Sequence, residues 1–136
     1  MCRFTLDGIT TFSYNVNHCY KIATYMNCQT KYCVYVISCL CGKIYVGSTI
    51  RSIHERVLEH WRAIRTNDQK YPVAFHASIC TVKTFKFHGI EHIVTPRRGG
   101  DKELLLRRRE AVWIMRLKAV QNGMNVDNEL HYFLGD

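Results

Sequence analysis

The stretch "CVYVISCLCGKIYVG", residues 33–47, constrains this chain more than any other. Val, Ile and Tyr dominate its two halves, and Cys41-Gly42-Lys43 supplies turn residues between them. The pattern predicts a β-hairpin with strands at 33–38 and 43–47. An isolated hairpin is marginal in water, so the rest of the chain must give it a further strand or helices to pack on. Two features go beyond what packing asks for. Tyr35 and Tyr45 stand near the middle of the two strands, and Cys39 and Cys41 stand one residue apart at the bend.

The remaining elements follow from periodicity. Residues 51–66 have helical spacing, with Ile53, Val57, Trp61 and Ile64 on one stripe. Pro72 suits the first turn of a second short helix over 72–80. "TVKTFKFHGIEHIV", 81–94, alternates as a third strand does. Asp101 can cap a last helix running to about 121, and Gly123 suits its end. The order β-β-α-α-β-α predicts an α/β (α+β) domain: a small three-stranded antiparallel sheet flanked by helices. It occupies residues 31–136 as one domain, which suits a chain of 136 residues. Residues 1–30 mix polar and aromatic side chains without a period and read as an N-terminal extension of unassigned role.

Charge narrows the partners. The formal net charge of +8 is clustered, in "RAIR" at 62–65 and "TPRRGGDKELLLRRRE" at 95–110. Clustered positive charge suits a polyanion, and nucleic acid is the commonest one. Lys43, Arg51, Arg62, Arg65, Arg97 and Arg98 are the candidate DNA contacts. No apolar run is long enough to cross a bilayer, and the N-terminus lacks the layout of a secretory signal. With seven cysteines, these features predict an intracellular chain whose thiols are reduced or bind metal.

Three charged or polar groups fall on faces that should be apolar. His60 lies near the centre of the first helix's stripe, and Arg56, one turn before it, at the edge. On the last helix, Leu106, Trp113, Leu117 and Val120 form the apolar face with Glu110 among them. A buried carboxylate must be paired, protonated or bound to a cation. A carboxylate oxygen suits Mg²⁺ or Mn²⁺. Asn125, just past Gly123, can reach a group in the same pocket. The bland readings are a satisfied core histidine, a structural ion pair and a routine turn residue. Together, however, two tyrosines, an arginine, a histidine and a glutamate on three elements that must pack are what phosphodiester hydrolysis needs. The metal would stabilise charge on the phosphate, the arginine would hold its non-bridging oxygens, and a tyrosine or His60 would take the proton of the attacking water.

These residues resemble the signature of the GIY-YIG endonucleases. "CVY" and "YVG" stand ten residues apart, tyrosine to tyrosine, and "RVLEH", "RREAVWI" and "GMN" follow in order. The lines "CxCGKIYVGST", "FHGIEHIV", "RRGGD" and "LLLRRREAVWIMRL" are similar to the nuclease domain of Penelope-like retroelements, over about residues 28–134. The resemblance implies single-metal cleavage of DNA, with Glu110 holding Mg²⁺ or Mn²⁺ and Arg56, His60 and Asn125 in the catalytic set. "CVY" departs from Gly-Ile-Tyr but keeps the tyrosine. One extra residue before the arginine leaves Arg51 as a rival to Arg56, which alone has a histidine one turn on. Either tyrosine could be the base; the expectation is Tyr35, with Tyr45 orienting water or phosphate. The resemblance also implies a retroelement origin, a fused or associated reverse transcriptase and a nuclear site of action.

Cys39 and Cys41 can direct two thiolates at one structural Zn²⁺. His76 and Cys80, four apart on the second helix, are the expected partners, with Cys28 and His88 as rivals. The resemblance supports such a site. Two other readings remain: a catalytically silent nucleic-acid-binding module, and a zinc-stabilised interaction domain.

Overall fold

A computed structural model describes residues 11–15, 18–21, 26–95 and 97–126. Its elements are β1 (Thr11–Asn15), β2 (His18–Lys21), β3 (Cys33–Cys39), β4 (Ile44–Thr49), α1 (Ile53–Thr66), α2 (Pro72–Ile79), β5 (Phe85–His92) and α3 (Lys102–Arg116). From β3 onward the order is the expected β-β-α-α-β-α. The sheet is antiparallel and three-stranded, in the order β4-β3-β5. β1 and β2 form a separate antiparallel hairpin inside the stretch that the sequence left without elements.

β3 is the central strand, and all seven of its residues are buried. That is why "CVYVISC" is apolar or small throughout and does not alternate. Its register pairs Tyr35 with Gly47 on one side and Gly89 on the other, and Ile37 with Tyr45. Side chains alternate along a strand, so Tyr35 and Tyr45 project from the same face of the sheet.

The helices are set by local signals. Ser52 caps α1 by accepting the Glu55 N–H at 3.2 Å, and Asn67 ends it in a left-handed conformation. Pro72 stands at the start of α2, and Asp101 caps α3 by accepting the Leu104 N–H at 3.0 Å. The backbone N–H groups of Ile53 and His54 donate to the carbonyls of Thr30 and Cys28. Met26 is buried against Gly89. Packing of the domain therefore begins several residues before position 31.

Three expectations need correction. The buried face of α1 is Ile53, Val57, His60 and Ala63, whereas Trp61 is 41% exposed and tilts against Phe87. The third strand is Phe85–His92, shorter than 81–94, because residues 81–84 form the approach turn, where the Thr84 carbonyl accepts the Leu40 N–H. α3 stops at Arg116, not near 121. Lys118 takes a left-handed φ of 54°, and the Ala119 N–H turns back to the Ile114 carbonyl.

Candidate active site and candidate metal centre

His60 is the hub of the first cluster. It is buried, and the phenol oxygen of Tyr35 lies 2.8 Å from its Nε2. Arg56 Nε donates to the same phenol oxygen at 3.1 Å. The phenol O–H is therefore left to donate to Nε2, which makes His60 a neutral acceptor. Tyr45 meets the His60 ring edge-on at 5.6 Å, and Tyr71 does so at 5.9 Å. Burial, helped by the nearby Arg56 charge, pushes the His60 pKa down to about 3. His60 is thus uncharged at neutral pH.

Burial also pushes the Tyr35 phenol above its ordinary range, and the opposing pull of Arg56 does not offset it. Tyr35 is 1% exposed, has two hydrogen-bond partners and does not line the neighbouring cleft. Tyr35 holds Arg56 and His60 in place, and Tyr45 is the signature tyrosine that lines the cleft.

That cleft, of about 330 Å³, is walled by Tyr45, Ser48, Thr49, Arg51, Arg56, Leu106, Arg107 and Glu110. The Ser48 hydroxyl donates to Glu110 Oε2 at 2.7 Å, joining the end of β4 to α3. Arg56 is fixed at Nε by Tyr35 and at Nη1 by Glu59, 2.6 Å away. Burial works against its charge, but Tyr35, Glu59 and Tyr45 outweigh that and push its pKa up. Arg51 pairs with the other oxygen of Glu59. Both rival arginines thus line one cleft and share one carboxylate, and Arg56 also donates to the signature Tyr35.

Ser48, Glu59 and Tyr71 are the members the sequence did not single out. Glu59 had a signal in its i,i+3 spacing from Arg56. Asn125 takes a different place from the one expected. It is buried and outside the cleft lining, and both ends of its amide bond the Val46 backbone at 2.8 Å. It acts as an extra strand residue clipped to the edge of β4. Gly123 permits this approach, since a Cβ there would collide with the Ile44 and Ala119 carbonyls.

The cleft's donor set fits a hard divalent ion. Glu110 is half-buried, one of its oxygens is oriented by a hydroxyl, and a Mg²⁺ site needs few protein ligands because the ion keeps most of its waters. Of the other candidates, Lys43, Arg62, Arg65, Arg97 and Arg98 are exposed, away from this lining.

A second cluster lies at the hairpin bend. The ligand atoms of Cys39, Cys41, His76 and Cys80 all lie within 4.8 Å of one another. Cys39 Sγ is 3.8 Å from Cys80 Sγ, and Cys41 Sγ is 3.4 Å from His76 Nε2. Four ligands at zinc bond lengths of about 2.3 Å to sulfur and 2.0–2.1 Å to nitrogen would sit at tetrahedral edges of roughly 3.6–3.8 Å. The Cys39–Cys80 and Cys41–His76 separations are close to those edges, and the four ligand atoms together lie within 4.8 Å. Burial and the Lys43 charge keep His76 neutral, as a metal ligand must be. The rivals Cys28 and His88 are not in the cluster.

A comparison with protein-family models matches residues 31–125 to the GIY-YIG catalytic domain. The chain belongs to this family. Comparisons with curated proteins and with solved structures find no match. In this GIY-YIG domain the two signature strands are β3 and β4, and Gly47 is the glycine of the second motif. Among the described residues, no helix is long and apolar enough to cross a membrane.

Proposed function

We propose that this GIY-YIG domain is a DNA endonuclease that uses one Mg²⁺ or Mn²⁺ ion and is braced by a structural Zn²⁺. The observation that carries the reading is the shared cleft of Tyr45, Arg56 and Glu110. Bound at Glu110, the divalent ion would supply Lewis-acid stabilisation of the phosphate and the leaving oxygen. Arg56, held on two sides, turns its remaining N–H groups to the non-bridging oxygens as charge builds. Tyr45, as its phenolate, takes the proton of the attacking water and becomes the neutral phenol, and the neighbouring Arg56 charge favours the phenolate needed at the start. The water oxygen bonds to phosphorus as the phosphorus–oxygen bond to the leaving strand breaks. Arg51 and Arg107 extend the positive wall along the DNA backbone.

The similarity to Penelope-like nuclease domains supports a retroelement origin, action on nuclear DNA and work beside a reverse transcriptase. Conversion of supercoiled plasmid to open circles, with Mg²⁺ added and withheld, tests the reading. Binding without conversion in either Mg²⁺ or Mn²⁺ would favour the silent binding module. Loss of both would favour the zinc-stabilised interaction domain.

A further inference from the structure

A second cleft, of about 370 Å³, opens beside the β3–β4 turn and shares no residue with the first. Phe75 and Ile79 of α2 form its apolar wall, although they are 49% and 64% exposed. Lys43 and Lys70 add two cationic residues to its lining. His76 belongs both to this lining and to the Cys39–Cys41–Cys80 cluster, so the candidate zinc centre also fixes the cleft's shape.

The two clefts are close in the chain, one lined by the β3–β4 turn and the other by β4. Lys43 stands just before β4 and two residues before Tyr45, so at most about 7 Å of backbone separates them. A further link runs through side chains: Tyr45 contacts His60, and His60 contacts Tyr71, next to the start of α2.

We propose that this second cleft holds an unpaired base of the DNA strand flanking the cut; the inference rests on the DNA-cleavage reading above. An aromatic face with aliphatic neighbours accepts the flat face of a base, and lysines alongside neutralise its phosphates. A closed duplex offers phosphates and base edges but no free base face, so the apolar wall would go unused on it. The chain thus prefers DNA with a single-stranded segment next to the scissile bond.

The test is fluorescence anisotropy without added Mg²⁺ on two probes, a blunt duplex and the same duplex with a short single-stranded overhang. Phe75→Ala should weaken overhang binding about ten-fold, the loss of one stacked base, and leave the blunt duplex unchanged. Phe75→Trp should restore it. Lys70→Ala should lower the salt slope on the overhang by about 0.7, one single-strand phosphate contact. An equal loss on both probes, or none on either, would overturn the proposal. So would a drop in melting temperature for DNA-free Phe75→Ala, since the cleft would then be covered by the chain itself. Plasmid nicking by the wild type separates the two readings. Nicking with an indifferent Phe75 rejects only the base site, whereas overhang preference without nicking rejects only the cleavage reading.

Discussion

The phenol of Tyr35 lies directly across the ladder from Gly47, so close that a Cβ at Gly47 would stand 2.5 Å from its oxygen. The two signature motifs are therefore one packing unit. The glycine leaves room for the ring, and the ring carries the hydroxyl that aligns Arg56 and His60. Gly47→Ala should destabilise the domain by about 1–3 kcal/mol, the usual range for overpacking a tight core. Urea denaturation followed by circular dichroism measures this, and cleavage should fall with it as Arg56 loses its alignment.

The two tyrosines should separate by phenotype. Tyr35→Phe keeps the ring but leaves His60 Nε2 and Arg56 Nε without their shared partner. It should cost about 1–3 kcal/mol of stability, the penalty for an unsatisfied buried polar group. Tyr45→Phe should reduce single-turnover cleavage by about 10²–10⁴-fold, the usual range for a general base. Stability and single-turnover rates for the pair check both halves.

His60 makes stability depend on pH in a defined direction. Its pKa falls from 6.5 to about 3 on folding, so between these values the unfolded chain binds the proton and the folded one does not. Its contribution is complete above pH 6.5 and is lost as pH falls toward 3. In that window the wild-type curve should be steeper than that of His60→Gln by at most about 1.4 kcal/mol per pH unit, one proton's worth. Denaturant midpoints taken through the window give the difference.

The metal centre makes its own prediction. Purified protein should hold about one zinc by elemental analysis, as one closed four-ligand site requires. Cys39→Ser or His76→Ala should remove the ion and lower the melting temperature, whereas Cys28→Ser and His88→Ala should keep it. Since Cys39 and Cys41 lie at the turn joining β3 to β4, zinc loss should also depress cleavage.

Much of this arrangement was legible in the sequence. The helical period put His60 on the buried face of α1 and Glu110 among the inward residues of α3, because a 3.6-residue repeat fixes which side chains share a side. The same stripe failed at Trp61. Hydrophobicity alone favours Trp61, whereas the buried side of α1 is centred on Val57 and His60, which leaves the indole at its margin. The end of α3 was hidden because a left-handed lysine at 118 has no sequence signature, unlike a glycine. Cys39 and Cys80 are 41 residues apart, and while the i,i+4 spacing of His76 and Cys80 pointed to them, their 3.8 Å approach depends on how α2 returns to the hairpin, which no local pattern encodes. The role of Asn125 was equally long-range. Its partner, Val46, is 79 residues away, and the bond is to backbone, which side-chain patterns do not report.

The central claim is that the cleft between β4, α1 and α3 cuts DNA. The direct measurement is plasmid nicking in Mg²⁺ and in Mn²⁺ by wild type, Glu110→Ala and Arg56→Ala, with folding of each verified by circular dichroism. The account predicts open circles from the wild type in at least one metal and none from either folded variant. Nicking that survives Glu110→Ala, or a folded wild type that binds plasmid yet leaves it supercoiled in both metals, would contradict it.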